Sequence, residues 1–321
     1  MLEFKKELEP EEILQIAIKD WNRDSFYVAY SGGKDSGIAL DMVVKLYPKY
    51  FKGVVFVNTG IATDATINFV KEFCNKRNYP LFVLCPEEVI RKKQDGLIYS
   101  YENLVLKYGF PTQGGHLMTM LWLKYWPMRQ FIEGRIKKGE RPCLISGIRK
   151  KESARRLHNK NSSATAINQD NKMIFVKPIY FKDNNWVMKY FIENDIKRSP
   201  VYETLHISGD CLCGCFATRE EAKLLQMFHP EVFEKIKNIE KKLKTINSKY
   251  SRNFGTWGNT KLESISQIEN QSTIEEFVCN ECATDRQLTS NDTERFNDEM
   301  EEVDTALNEL MEAGVIENVK T

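Results

Sequence analysis

The opening stretch, MLEFKKELEPEEILQIAIKDW, lacks an uninterrupted apolar core and carries acids throughout. That pattern fits neither a signal peptide nor a membrane span, and it places the chain in the cytoplasm. Net charge is also nearly absent, at +1, and no internal repeat is evident. Two familiar phosphate-binding loops are missing. The Walker pattern G-x-x-x-x-G-K-S/T fails because Val28 stands where its first glycine belongs and Asp35 follows Lys34. The dinucleotide pattern G-x-G-x-x-G fails because Gly32 and Gly33 are adjacent.

What is present describes a large α/β chain. At 321 residues and 42% hydrophobic content there is enough apolar surface for a substantial core. Apolar spacing predicts a helix over Pro10–Trp21, a strand over Phe26–Tyr30 and a helix over Gly37–Tyr47. A buried parallel strand is expected at Gly53–Gly60, a helix at Asp64–Arg77 and a strand at Pro80–Cys85. Further on come a helix over Leu117–Lys138, a strand at Cys143–Ile148, a polar loop His158–Lys172, a strand at Met173–Ile179 and a helix capped by Asp183. Strand–helix alternation of this kind predicts a doubly wound, mostly parallel sheet. After Gly209 the strand rhythm gives way to cysteines and to long charged helices, Arg219–Phe228 and Pro230–Tyr250. A boundary is therefore expected near residue 205, between a nucleotide-binding domain, 1–205, and a cysteine-containing, mainly helical region, 206–321.

Charge is distributed unevenly. Lys124–Arg156 holds eleven Lys/Arg against three acids, whereas Asn291–Thr321 holds ten acids against two bases. Anionic ligands are expected near the middle of the chain. The basic stretch also contains Trp122, Tyr125 and Trp126, which is compatible with a nucleic-acid acceptor, but a helix with a buried aromatic face is the stronger reading. The acidic end reads as an amphipathic helix, with Phe296, Met300, Val303, Leu307 and Leu310 at helical spacing. It would serve packing first, and a partner protein or a second copy otherwise.

FYVAYSGGKDS, Phe26–Ser36, is the most informative stretch. A glycine-rich turn between a buried strand and a helix lets backbone N–H groups face an anion, and the helix adds its positive end. The alternative is an ordinary turn that happens to contain Gly-Gly. Its place at the carboxyl end of the first strand, where open α/β sheets bind ligands, favours a phosphate cradle. The cysteines form a second signal. Of eight, Cys211, Cys213 and Cys215 lie in SGDCLCGCF, and Cys279 and Cys282 in VCNECA. The C-x-x-C spacing lets two thiolates share one ion, and two from each group would make a four-cysteine site, with zinc and [4Fe–4S] both acceptable. Cys215 is the alternative ligand. Cys74, Cys85 and Cys143 sit in helix or strand patterns and are expected in the core.

SGGKDS resembles the pyrophosphate loop of the ATP pyrophosphatases. VNTGIATDATINFVKEF, SGIRKKESARR and VKPIYFKDNNWVMKYFIENDIKRSPVYE narrow the resemblance to the phosphoadenosine phosphosulfate (PAPS) reductase family, over about residues 10–215. It implies the Rossmann-like adenine nucleotide alpha-hydrolase fold. It also implies that Ser31, Gly32, Gly33, Lys34, Asp35 and Ser36 hold the terminal phosphates of ATP with Mg²⁺, and that Lys34, Asp35 and Arg149 serve catalysis. Val57, Asn58 and Thr59 would read adenine and ribose through the backbone. Gly147 would belong to the nucleotide-binding set, and Arg149, Arg155 and Arg156 would clamp the anion, as forked guanidinium donors can. The resemblance tilts the four-cysteine site toward [4Fe–4S]. The family's reductases use a cysteine in a Glu-Cys-Gly-Leu-His segment, which does not occur in these 321 residues. The expected reaction is therefore cleavage of ATP to AMP and pyrophosphate, adenylylating an acceptor that could be a nucleic acid or a small molecule. The alternatives are a sulfonucleotide reductase with an atypical thiol, such as Cys215, and a non-catalytic nucleotide-binding module.

Overall fold

The computed structural model describes residues 7–89, 100–112, 119–152, 163–167, 173–215, 217, 219–246 and 254–258. The chain enters through helix α1, Pro10–Lys19, which a reciprocal Glu9–Glu12 capping box and Pro10 in its first turn start cleanly. Strand β1, Ser25–Ala29, leads into α2, Lys34–Leu46. Strand β2, Phe51–Val57, is followed by α3, Asp64–Lys76, whose Thr63 cap accepts from the Thr66 N–H, and then by β3, Leu81–Leu84. Short α4, Pro86–Val89, and α5, Tyr101–Tyr108, precede a long helical stretch that contains α6, Trp126–Ile136. Strands β4, Pro142–Ile145, β5, Thr165–Ile167, and β6, Ile174–Val176, complete the sheet. Helices α7, Asn184–Glu193, α8, Tyr202–Leu205, α9, Arg219–Phe228, and α10, Pro230–Thr245, follow.

The sheet order is β3-β2-β1-β4-β6-β5. Five strands run parallel, and β5 is antiparallel at the edge, pairing Thr165 with Val176 and Ile167 with Ile174. From β1 the chain winds outward through β2 to β3, then returns to lay β4 on the other flank of β1. That reversal opens a crevice between the carboxyl ends of β1 and β4, where ligands bind in open α/β sheets.

Both faces are covered, and the period-two alternation of the strands divides their side chains between two apolar layers. Phe26, Val28, Val54, Phe56, Cys143 and Ile145 pack against α1, α2 and α3. Tyr27, Val55, Leu144 and Phe175 face the other way, into a cluster that also contains Leu104, Trp122, Cys213, Leu225, Ile239 and Trp257. The described part of the C-terminal region thus contributes to the same cluster as the sheet. Among the described residues no helix is long and apolar enough to cross a membrane.

The helix expected over Leu117–Lys138 forms, but its Leu121–Tyr125 turn is π-helical, with the Trp126 N–H reaching back to the Leu121 carbonyl. Pro127 explains this, because a proline inside a helix removes one N–H and crowds the preceding turn. Strand β5 lies inside the stretch read as a polar loop. Its TAI segment is too short to show alternation, and its pairing is supplied by β6. Cys74 and Cys143 are buried as expected, with burial pushing the Cys74 thiol up to about 11, whereas Cys85 is half-exposed.

Candidate nucleotide site and cysteine segment

The turn after β1 is held by its own serines. Ser36 Oγ donates to the Gly33 carbonyl (3.1 Å) and lies 3.1 Å from Ser31 Oγ, which accepts from the Gly33 N–H at 3.3 Å. Gly32 has φ +82, a backbone state that side chains other than glycine rarely adopt, and its carbonyl accepts from the Ser199 N–H at 2.7 Å. Helix α2 begins on Gly33, whose carbonyl receives the Gly37 N–H. The amides of Lys34, Asp35 and Ser36 precede that first intrahelical bond, so they belong to the donor end of the helix. Lys34 adds an ammonium whose side chain is 17% exposed and lies 3.8 Å from Asp35 Oδ1.

The β4 side closes on this turn. A Cβ on Gly147 would lie 2.4 Å from the Asp35 carbonyl carbon and 2.5 Å from Ser36 N, so the absence of a side chain lets the strand's exit pack on the first turn of α2. Two residues on, Arg149 Nε and Nη2 both reach Asp35 Oδ2, at 3.2 and 3.1 Å, and Nη1 reaches the Lys182 carbonyl. The guanidinium is 3% exposed. Arg149 therefore orients Asp35 in this structure, a use that the anion-clamp expectation did not foresee. Asp35 Oδ1 is buried with no hydrogen-bond partner among the described residues. Arg155 and Arg156 lie outside the described residues.

Past β2, Asn58 N–H donates to Leu84 O, and its Oδ1 accepts from Gly60 N–H at 3.1 Å, which fixes the turn. Thr59 is buried, and its hydroxyl donates to the Asp210 carbonyl. Val57 is half-buried at the strand's end.

That Thr59 bond is one of several that drape the cysteine segment over the loop after β2. Thr63 N–H donates to Gly209 O, Thr66 Oγ1 to Ser208 O, and Leu212 N–H to Ile61 O. Ser199 Oγ lies 2.8 Å from Thr66 Oγ1, so one short buried polar chain joins the Gly32 turn to the cysteine segment. The thiols of Cys211 and Cys213 share a hydrogen bond, and that bond together with burial holds the Cys211 thiol well above its usual range. Cys215 is 1% exposed and donates to the Thr112 carbonyl at 3.1 Å. Cys279 and Cys282 lie outside the described residues, and among the described ones no three potential ligands gather. The described half of the four-cysteine set is a facing thiol pair, whose donors suit a thiophilic metal.

Sequence reasoning missed the clamp on this pair. Trp257 Nε1 donates to Leu212 O at 2.9 Å, its N–H donates to Glu240 Oε1, and its ring fills the place where a side chain on Gly214 would stand. FGTWG, Phe254–Gly258, carries no helix or strand pattern, and the lone tryptophan is its one signal. The basic run is partly engaged within the fold. Lys124 pairs with Asp210, Arg129 with Glu133, and Arg141 with Asp24, while Arg135 sits over the rings of Tyr27, Phe82 and Phe131. Trp122 and Tyr125 are buried, as the aromatic-face reading expects.

The sequence profile of the phosphoadenosine phosphosulfate reductase domain matches residues 25–215. An uncharacterized protein of Methanocaldococcus jannaschii is 26% identical over 235 residues, 71% of this chain and 51% of the relative. A second from the same organism is 26% identical over 213 residues, 66% of this chain and 40% of the relative. The chain thus spans about half the length, or less, of the curated relatives it matches. Among solved structures, the PAPS reductase of Candida auris in its phosphate complex has 19% identity and a TM-score of 0.42, covering 61% of this chain and 85% of that one. The U34-tRNA thiolase NcsA of Methanococcus maripaludis, with its [4Fe–4S] cluster, has 14% identity and a TM-score of 0.43, covering 79% and 84%. Neither superposition bears on the chemistry.

Proposed function

Because this chain belongs to the phosphoadenosine phosphosulfate reductase domain family, we propose that it is a nucleotide-cleaving enzyme that splits ATP between its α and β phosphates and passes the adenylyl group to an acceptor. The observation that carries this reading is the cradle at the switch point. The Gly32 turn, the first amides of α2 and the Lys34 ammonium converge where the pyrophosphate leaving group gains charge, and fixed donors there stabilise it without reorganisation. Arg149 keeps Asp35 in place beside the phosphates. Mg²⁺ accompanying the nucleotide would supply further neutralisation of the phosphates, and Asp35, whose buried Oδ1 accepts no hydrogen bond among the described residues, is suited to hold it.

Reduction of PAPS is disfavoured by the described thiols. A reductase needs a thiolate that reaches the sulfur and is then regenerated. Cys215 is buried and donates to a carbonyl, and the bond to Cys213 together with burial pushes the Cys211 thiol up, away from the thiolate. The pair Cys211 and Cys213 is better suited to a metal shared with Cys279 and Cys282. Trp257 supports this, since it ties the chain beside the pair 22 residues before Cys279. A [4Fe–4S] cluster is favoured over zinc by the family resemblance, and it would supply sulfur or redox chemistry there. Sulfur delivery to a nucleic acid or small-molecule acceptor is the purpose that suits both halves of the site. Parallel incubations test the reading. Labelled ATP should yield AMP and pyrophosphate, and PAPS with thioredoxin should yield no sulfite. Sulfite release that is lost in Cys215→Ser would make the chain a reductase.

A further inference from the structure

A buried hydroxyl without a partner is destabilising, so such a group at the mouth of a ligand crevice calls for an explanation. Ser146 is one. It follows β4 directly, its N–H donates to the Val176 carbonyl at 2.9 Å, and it is 4% exposed. Its Oγ has no hydrogen-bond partner among the described residues. The next residue, Gly147, is the one pressed against Asp35 and Ser36. Ser146 therefore stands at the switch point between β1 and β4, next to the Gly147 contact with Asp35, whose Oδ1 also lacks a hydrogen bond among the described residues.

The sheet order says which part of a nucleotide lies near Ser146. The segment assigned to the base follows β2, the phosphate turn follows β1, and β4 lies on the far flank of β1 from β2. A group after β4 is thus at the phosphate end. A serine hydroxyl can donate to a phosphate oxygen, and a donor to an anion makes one of the stronger hydrogen bonds. We propose that Ser146 is a binding residue whose hydroxyl donates to a phosphate oxygen of the nucleotide held by the Ser31–Ser36 turn. The proposal deepens the reading of that turn and rests on it.

The structure gives Ser146→Ala two effects of opposite sign. Without nucleotide, removing an unpartnered hydroxyl should raise Tm by about 2–4 °C. With nucleotide, the lost bond to an anion should weaken ATP and inorganic pyrophosphate by about 10- to 100-fold and leave adenosine unchanged. Calorimetric titration with these three probes, beside Lys34→Ala, makes the test. If Ser146→Ala binds ATP and pyrophosphate within about two-fold of the wild type while Lys34→Ala loses both, the proposal is wrong and the reading of the turn stands. Equal weakening of adenosine would show Ser146 to be merely structural. A wild-type protein that binds neither ATP nor pyrophosphate would remove the reading of the turn, and the Ser146 proposal with it.

Discussion

Gly147→Ala offers the sharpest perturbation of the crevice. The added Cβ would stand 2.4 Å from the Asp35 carbonyl carbon and 2.5 Å from both Asp35 O and Ser36 N, where ordinary contact begins at 3.4 Å. The exit of β4 and the first turn of α2 must then separate by about 1 Å, and the atoms in the way are backbone, which no rotamer change relieves. Overpacking of this kind costs about 1–3 kcal/mol. The same displacement moves Asp35 and the donor end of α2 relative to Arg149 and the phosphates, and a misplacement of that size lowers turnover about 100-fold. Gly134→Ala is the control. Nothing lies within 4 Å of its Cβ position inside α6, so alanine there should stabilise by about 0.5–1 kcal/mol. Thermal denaturation and pyrophosphate release, measured on both variants, check the pair. A Gly147→Ala protein with wild-type Tm and wild-type turnover would refute the packing argument.

Asp35→Ala should differ from Lys34→Ala in the fold as well as in activity. It strands the buried guanidinium of Arg149, which should cost about 3–5 kcal/mol in chemical denaturation, whereas Lys34→Ala should stay close to the wild type. Protein purified without oxygen should carry one thiolate-bound metal site that Cys279→Ser with Cys282→Ser abolishes, as elemental analysis and visible absorption would record; a metal-free protein with full activity would remove the site from the account. His229 is buried with its Nε2 3.0 Å from Thr204 Oγ1, and burial lowers its pKa below the ordinary 6.5, opposed by Glu231. The unfolded chain therefore binds the proton more readily, so this contribution to stability is complete above pH 6.5 and is lost as pH falls below it. His229→Gln should flatten that part of the stability profile, and an unchanged acid limb would contradict the assignment.

The sheet and its crevice were legible because parallel strands buried on both faces leave continuous apolar runs, as at Gly53–Val57, and because the Gly-Gly turn needs a backbone that few sequences supply. Short elements were not. Strand β5 owes its existence to β6, and the π-turn before Trp126 follows from Pro127 acting inside a helix that the apolar spacing read as continuous. Within the site, the sequence named Arg149 and Asp35 but not their mutual bond, since spacing along a chain cannot say which guanidinium meets which carboxylate across 114 residues. The Trp257 clamp and the Ser199–Thr66 bond were hidden for the same reason. Both join segments whose only sequence mark is a lone aromatic or a pair of ordinary hydroxyls.

The central claim is that the Gly32 turn and Lys34 stabilise pyrophosphate as it leaves ATP. The most direct measurement is release of labelled pyrophosphate from γ-labelled ATP by wild type and Lys34→Ala, both folded, with candidate acceptors added. The account predicts pyrophosphate and AMP from the wild type and neither from Lys34→Ala. Equal release from both proteins, or orthophosphate and ADP as the products, would contradict it.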